Sequence, residues 1–171
     1  DANANRFFGG LGADRIEGAG GIDVVDFSLS SVAVTVFLDG RIGIGGEADG
    51  DVITGVEQLT GSNFNDTLVG GTGDDSISGG LGDDAIAGGQ SGDQLFGDEG
   101  FDTASYEFST EAVNVSLDGE SSGGYAEGDQ FFSIEALLGS NFDDVLRGTA
   151  QSDSLGGLAG DDLLIGGDGG D

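Results

Sequence analysis

Aspartates recur every nine residues in three stretches of the chain. The middle stretch holds Asp66, Asp75, Asp84, Asp93 and Asp102, the last holds Asp144, Asp153, Asp162 and Asp171, and the first holds Asp14 and Asp23. Carboxylates are hard oxygen ligands, and a periodic supply of them points to Ca²⁺ before any other ion. Composition excludes most other site chemistry. The 171 residues include no Cys, His, Met, Trp or Pro, and the four basic residues are all arginines: Arg6, Arg15, Arg41 and Arg147. Disulfides and metal centres built on Cys or His are therefore ruled out. No His, Cys or Lys is present to act as base or nucleophile, and the serines lack a general base of the usual kind. Paired carboxylates can hydrolyse glycosides, but here the periodicity itself accounts for the aspartates. The expectation is a binding module and not an enzyme.

The spacing belongs to a nine-residue repeat, G-G-x-G-x-D-x-U-x with U aliphatic. Gly70 to Ser78 and Gly79 to Ala87 match it at every fixed position. Gly61 to Val69, Gly88 to Phe96 and Gly97 to Ser105 continue it more loosely. Two residues after each aspartate of the middle run comes Leu68, Ile77, Ile86, Leu95 or Ala104; Leu146, Leu155 and Leu164 follow in the last run, Ile16 and Val25 in the first. The glycines allow a sharp turn, because Gly reaches positive φ without steric cost. The D-x-U-x part is a very short strand. Side chains alternate along it, so the Asp and the aliphatic residue share a side, the Asp at the turn and the aliphatic residue inside.

Two repeats then make one coil turn of eighteen residues, and repeats of the same parity stack at about the ~4.8 Å strand spacing. The expected fold is all-β: a parallel β-roll, a right-handed β-solenoid with two nonapeptides per turn and β-rich inserts. Ions between turns would take carboxylates from Asp66/Asp84, Asp75/Asp93, Asp84/Asp102, Asp144/Asp162 and Asp153/Asp171. Main-chain oxygens of Gly70, Thr72, Gly79, Leu81, Gly88, Gly97, Gly157 and Gly166 are the candidate partners. Asp14 and Asp23 have Val32 and Arg41 at the eighteen-residue offset, so their role depends on the insert that follows. The insert acids Glu47, Asp49, Asp51, Glu57, Glu127, Asp129 and Glu135 are further candidates.

A longer period overlies the short one. Gly18 to Gly40 matches Gly97 to Gly119 at an offset of 79, and Gly50-Asp51, Glu57 and Gly61 to Phe64 match Gly128-Asp129, Glu135 and Gly139 to Phe142 at 78. The chain thus reads as about two copies of a larger unit cut from an array. Residues 1–27 end one roll block, 28–60 form a β-rich insert, 61–106 a second block, 107–138 a second insert, and 139–171 a further, truncated block. Residues 32–38 and 52–59 are strand candidates, with 131–138 the counterpart of the latter, and Asp39-Gly40 a turn. Glu107 to Ala112 could make one short helical turn. Phe27, Phe37, Tyr106, Phe131 and Phe132 are expected in the core or a cap, and the arginines in ion pairs with nearby carboxylates.

The formal net charge is −29, with 33 acidic residues. That charge disfavours a compact chain without counter-ions and repels nucleic acid and anionic membranes. No apolar run reaches the length of a membrane span. Five divalent ions would bring the net charge to about −19. Full burial of one Leu or Ile contributes about 1.5–3 kcal/mol, too little to order a Gly-rich nonapeptide by itself. A largely disordered metal-free chain that folds as Ca²⁺ binds is the expectation.

The repeats resemble those of the repeats-in-toxin (RTX) family. Gly55 to Leu59, leading into Gly61-Ser62, resembles the lead-in of serralysin-type proteases, and the long unit resembles tandem arrays in secreted adhesins, matrix proteins and polysaccharide-modifying enzymes. This resemblance implies a parallel β-roll, calcium-induced folding, type I export and an extracellular location. It also implies neighbouring domains of a larger chain as partners, with polysaccharide or a cell surface as a further partner class. Several positions depart from the pattern. Phe64, Ser91, Phe142 and Gln151 replace the fourth-position glycine, and Ala19, Ser62, Asp98, Ser140, Thr149 and Leu158 the second.

Overall fold

Short β-branched and aliphatic triplets, each followed by a glycine turn, become short parallel strands. The computed structural model describes residues 2–169. Seventeen strands follow in chain order. They are β1 (Arg6–Phe7), β2 (Arg15–Glu17), β3 (Val24–Asp26), β4 (Thr35–Phe37), β5 (Val52–Thr54), β6 (Gln58–Thr60), β7 (Thr67–Val69), β8 (Ser76–Leu81) and β9 (Ala85–Ala87). The rest are β10 (Gln94–Glu99), β11 (Thr103–Ser105), β12 (Asn114–Ser116), β13 (Gln130–Phe132), β14 (Ala136–Leu138), β15 (Val145–Arg147), β16 (Ser154–Gly156) and β17 (Leu163–Ile165). Every pairing between these strands is parallel. The only helical pieces among the described residues are two 3₁₀ turns, Gly46–Ala48 and Gly124–Ala126. This is the expected parallel β-roll.

The sheets are columns of strands one coil turn apart: β1-β3-β6-β8-β10-β13, β4-β7-β9-β11-β14-β16, β12-β15-β17 and β2-β5. Each insert ends one column and begins another. The first closes β2-β5 and opens the column led by β4; the second closes the column ending in β13 and opens the one led by β12. One sheet runs unbroken past each seam, so the coil continues although one of its faces is exchanged. The seam offsets are correspondingly long: Ile16 pairs with Ile53, and Val115 with Leu146.

The core is the line of aliphatic repeat positions. Val25, Leu59, Ile77, Leu95 and Phe131 stack in one column, and Val36, Leu68, Ile86, Ala104, Leu137 and Leu155 in the next. Phe27 and Tyr106 are buried at equivalent seam positions. Their amides donate equivalent bonds, to the carbonyls of Thr60 (2.9 Å) and Leu138 (2.8 Å).

Several expectations need correction. Residues 52–59 form two strands, β5 and β6, and 131–138 likewise belongs to β13 and β14, because the chain must cross from one face to the other in between. Residues 32–38 keep only β4. Glu107 to Ala112 holds a turn and a bend, with no helix. Phe132 is 43% exposed and stacks on Phe96 with centroids 4.5 Å apart. Phe37 is half-buried and carries the Arg41 guanidinium over its ring at 4.0 Å. Arg6, Arg15 and Arg41 pair with Asp26, Glu17 and Asp39, whereas Arg147 bonds to the Asn114 amide oxygen.

Candidate metal centre

Most of the periodic aspartates are buried. Asp23, Asp66, Asp75, Asp84, Asp93, Asp102 and Asp144 are all at most 5% exposed, although carboxylates seldom lie inside unless paired. Along most of the stack one carboxylate oxygen has a fixed duty: it accepts the main-chain N–H of a residue one turn earlier. Asp84 Oδ1 accepts from Asp66 (2.7 Å), Asp93 Oδ1 from Asp75 (2.8 Å), Asp102 Oδ1 from Asp84 (2.8 Å) and Asp162 Oδ1 from Asp144 (2.9 Å).

The seams keep this ladder with acids from the inserts. Asp14 N–H donates to Asp51 Oδ1 (2.8 Å), Asp23 to Glu57 Oε2 (2.9 Å), Asp93 to Asp129 Oδ1 (2.9 Å) and Asp102 to Glu135 Oε2 (2.9 Å). Asp14 and Asp23 therefore find their partners 37 and 34 residues on, in place of Val32 and Arg41. These four insert acids belong to the same stack as the repeat aspartates. The signal for them lies in the long repeat, where Asp51 matches Asp129 and Glu57 matches Glu135.

The second oxygen divides the loops into two kinds. In the loops beginning at Gly61, Gly70, Gly139 and Gly148, Oδ2 accepts the N–H of the second residue. Ser62 donates to Asp66, Gly71 to Asp75, Ser140 to Asp144 and Thr149 to Asp153, at 2.5–2.6 Å. We term these closed. In the loops beginning at Gly9, Gly18, Gly79, Gly88, Gly97 and Gly157 the second and fourth residues both have positive φ, and we term these open. Left-handed backbone costs a non-Gly residue roughly 1–2 kcal/mol, yet Ala19 (φ 74°), Ser91 (81°), Asp98 (70°) and Leu158 (66°) adopt it here. In the open loops Oδ2 of Asp14, Asp23, Asp84, Asp93 and Asp102 is buried without any hydrogen-bond partner. The closed loops are the first two after each insert, where no earlier nonapeptide lies beneath them.

Most of the unpartnered oxygens pack against glycines, in the space where a side chain would begin. A Cβ on Gly79 would collide with Asp84 Oδ2 and lie 2.9 Å from the Gly97 carbonyl; in the closed loop at Gly148, where Thr149 already donates to Asp153 Oδ2, a Cβ would lie 2.8 Å from the Gly166 carbonyl. The Gly88 carbonyl faces Gly70 and the Gly157 carbonyl faces Gly139 in the same way. At the seams Gly55 and Ser133 carbonyls take this place, opposite Gly18 and Gly97. Two other candidate oxygens are placed differently: the Thr72 carbonyl accepts the Ser91 hydroxyl (3.2 Å), and Leu81 pairs with Glu99 between β8 and β10. Asp171 lies outside the described residues.

Burial lifts several of these acids far above the usual range, and neighbouring carboxylates add to it at Asp75, Asp84 and Asp93. Asp75 is pushed up to about 6, Asp84 to about 7, Asp93 to about 8 and Asp129 to about 6. Oxygens of both kinds, carboxylate and carbonyl, come together beside these glycines with no counter-charge, a donor set that fits a hard cation of calcium's type. No group of three or more acidic side chains converges on one point among the described residues, so main-chain oxygens would have to supply much of each shell.

No curated protein matches the chain. The family model of the RTX calcium-binding nonapeptide repeat matches it in four copies, at residues 1–26, 60–95, 86–104 and 138–171. These matches span more than half of the chain and fall on the open and closed loops just described. The chain belongs to the RTX calcium-binding nonapeptide repeat family and is a calcium-binding repeat module.

Proposed function

We propose that this module folds on binding Ca²⁺ outside the cell and serves as a folding switch and spacer within a larger secreted protein. The observation that carries the reading is the row of buried, unpartnered aspartate oxygens. Leaving a buried charge uncompensated is strongly destabilising, so the roll needs either protons or cations on those oxygens. Asp84, Asp93, Asp102 and Asp162 would hold ions in the open loops, with carbonyls of the neighbouring turn. Asp14 and Asp23 would do so near the first seam. Roll blocks at 1–27, 61–106 and 139–171 would fold around their ions, and the inserts at 28–60 and 107–138 would join them. Export by a type I system, common among proteins with these repeats, suits a chain that stays unfolded where calcium is scarce.

The test is far-UV circular dichroism during a Ca²⁺ titration of the EDTA-treated protein, with Mg²⁺ as control. A cooperative gain of β signal, specific to Ca²⁺ and reversed by EDTA, is expected. A chain that stays disordered up to ~10 mM Ca²⁺, beyond the weak extracellular range, would overturn the reading.

A second reading, docking of polysaccharide, draws on a hollow of about 280 Å³ where the two inserts approach each other on one face. Arg41, Phe108, Tyr125, Gln90 and Thr72 line it, and Arg41 lies over both Phe37 and Phe108. Aromatic faces beside polar groups suit sugar rings. Retention of the calcium-loaded protein on immobilised polysaccharides is expected to fall at least tenfold in a Phe108→Ala/Tyr125→Ala variant. Absence of retention of the parent on any of them removes this reading.

A further inference from the structure

The two seams are built alike but differ at one atom. At the second seam Asp129 is buried, its Oδ1 accepts the Asp93 N–H, and its Oδ2 accepts the Tyr106 hydroxyl at 2.6 Å. At the first seam Asp51 holds the matching place, 1% exposed, with Oδ1 accepting the Asp14 N–H. Here the residue matching Tyr106 is Phe27, which is fully buried and has no hydroxyl. Asp51 Oδ2 is left without a partner, and so is Asp14 Oδ2. Both oxygens aim at one place: they lie 2.9 and 3.4 Å from the position a Cβ would take on Gly9. At the second seam the atoms nearest the matching place on Gly88 all belong to Asp93, and Asp129 Oδ2 is taken by the tyrosine.

We propose that Asp14 and Asp51 form a divalent-cation site at the first seam, in which a bound Ca²⁺ takes the place that the Tyr106 hydroxyl fills at the second. This rests on the calcium reading of the module and extends it to an acid that lies outside the nonapeptides. Two carboxylate oxygens drawn together beside a glycine give a hard, doubly negative donor pair, which main-chain or water oxygens would complete to a calcium shell. The two arginines of this block, Arg6 and Arg15, are engaged elsewhere, on Asp26 and Glu17. The two insert acids would then be held differently: Asp51 by an ion it shares with Asp14, Asp129 by a hydroxyl.

The measurement is bound ⁴⁵Ca²⁺ per chain at saturation, by equilibrium dialysis, for the parent, Asp51→Asn and Phe27→Tyr. Asparagine keeps the Oδ1 acceptor but removes the ligand oxygen. Tyrosine at position 27 is an exchange the fold already accepts at 106, and its hydroxyl would occupy the ion's place. Each variant is expected to bind one ion fewer than the parent while keeping the parent's calcium-loaded circular dichroism. An unchanged count in Phe27→Tyr overturns the seam site and leaves the module's calcium reading standing. No calcium uptake by the parent overturns both.

Discussion

Stripped of calcium, the protein is expected to gain β structure as the pH is lowered from 8 to 5 and to lose it again on return. The sign follows from the buried acids. Burial is the main cause that raises Asp75 to about 6, Asp84 to about 7, Asp93 to about 8 and Asp129 to about 6, and neighbouring carboxylates add to it at Asp75, Asp84 and Asp93. In the unfolded chain all four return to about 3.9. Between these limits the folded state holds more protons than the unfolded one, so stability falls as pH rises. The contribution is complete below about pH 4 and is lost stepwise as pH passes 6, 7 and 8. Asp26 works in the opposite sense, since hydrogen bonds from Ser28 and Arg6 outweigh its burial and hold it low.

Calcium should reverse the slope. Its ligands must be deprotonated, so protons compete with the ion. Loaded protein is expected to be most stable near pH 8, where the stripped chain is least stable, and the two pH profiles should cross. Thermal melts of stripped and loaded protein at pH 5, 6, 7 and 8 check this, all above the isoelectric point of about 4.1. Parallel profiles for the two forms would show that the buried carboxylates are not where calcium acts.

Much of this architecture is legible in the residues. The alternation of Asp and aliphatic side chain in D-x-U-x places Asp84 at the turn and Ile86 in the core, and the structure has both buried there. What the nine-residue rule misses comes from the inserts. A fixed eighteen-residue offset puts Val32 opposite Asp14, whereas Asp51 takes that place, because the chain between them leaves the coil to begin a new sheet. Only the weaker 78-residue repeat, which keeps Asp51 and Glu57 as Asp129 and Glu135, carries that information. The division into open and closed loops is legible in part. Ser62, Ser140 and Thr149 at the second position mark closed loops, but Gly71 fits the repeat perfectly and closes as well, since what lies beneath it is an insert and not another loop. Conversely, Ala19, Asp98 and Leu158 break the glycine pattern yet adopt the left-handed turn. Stacking decides the backbone there, and local preference yields to it.

The two loop kinds imply that neighbouring aspartates of one column do different work, and Asp84→Asn against Asp66→Asn should show it. Asp84 Oδ1 accepts the Asp66 N–H while Oδ2 has no partner. Asparagine preserves the first and replaces the second with an amide that cannot bind a cation. Asp84→Asn is therefore expected to lose one ion, or to need at least about ten times more calcium to fill its site, since affinity follows the charge of the ligands. Asp66 is already committed: Oδ1 accepts the Val34 N–H (2.7 Å) and the Ser62 hydroxyl (2.8 Å), and Oδ2 accepts the Ser62 N–H (2.5 Å). An amide at 66 would set its own N–H against one of these donors. A hydrogen bond to a charged group is worth about 1.5–3 kcal/mol, so Asp66→Asn should destabilise the loaded protein by about that much in urea unfolding at saturating calcium. Its count of bound ions should stay that of the parent. If Asp66→Asn loses an ion as Asp84→Asn does, both carboxylates share one ion, and the closed loop must open to receive it. If neither loses one, the free oxygen of Asp84 is not a ligand. Only the asymmetric outcome fits a roll in which the first loops after each insert hold themselves shut and the later ones are held by metal.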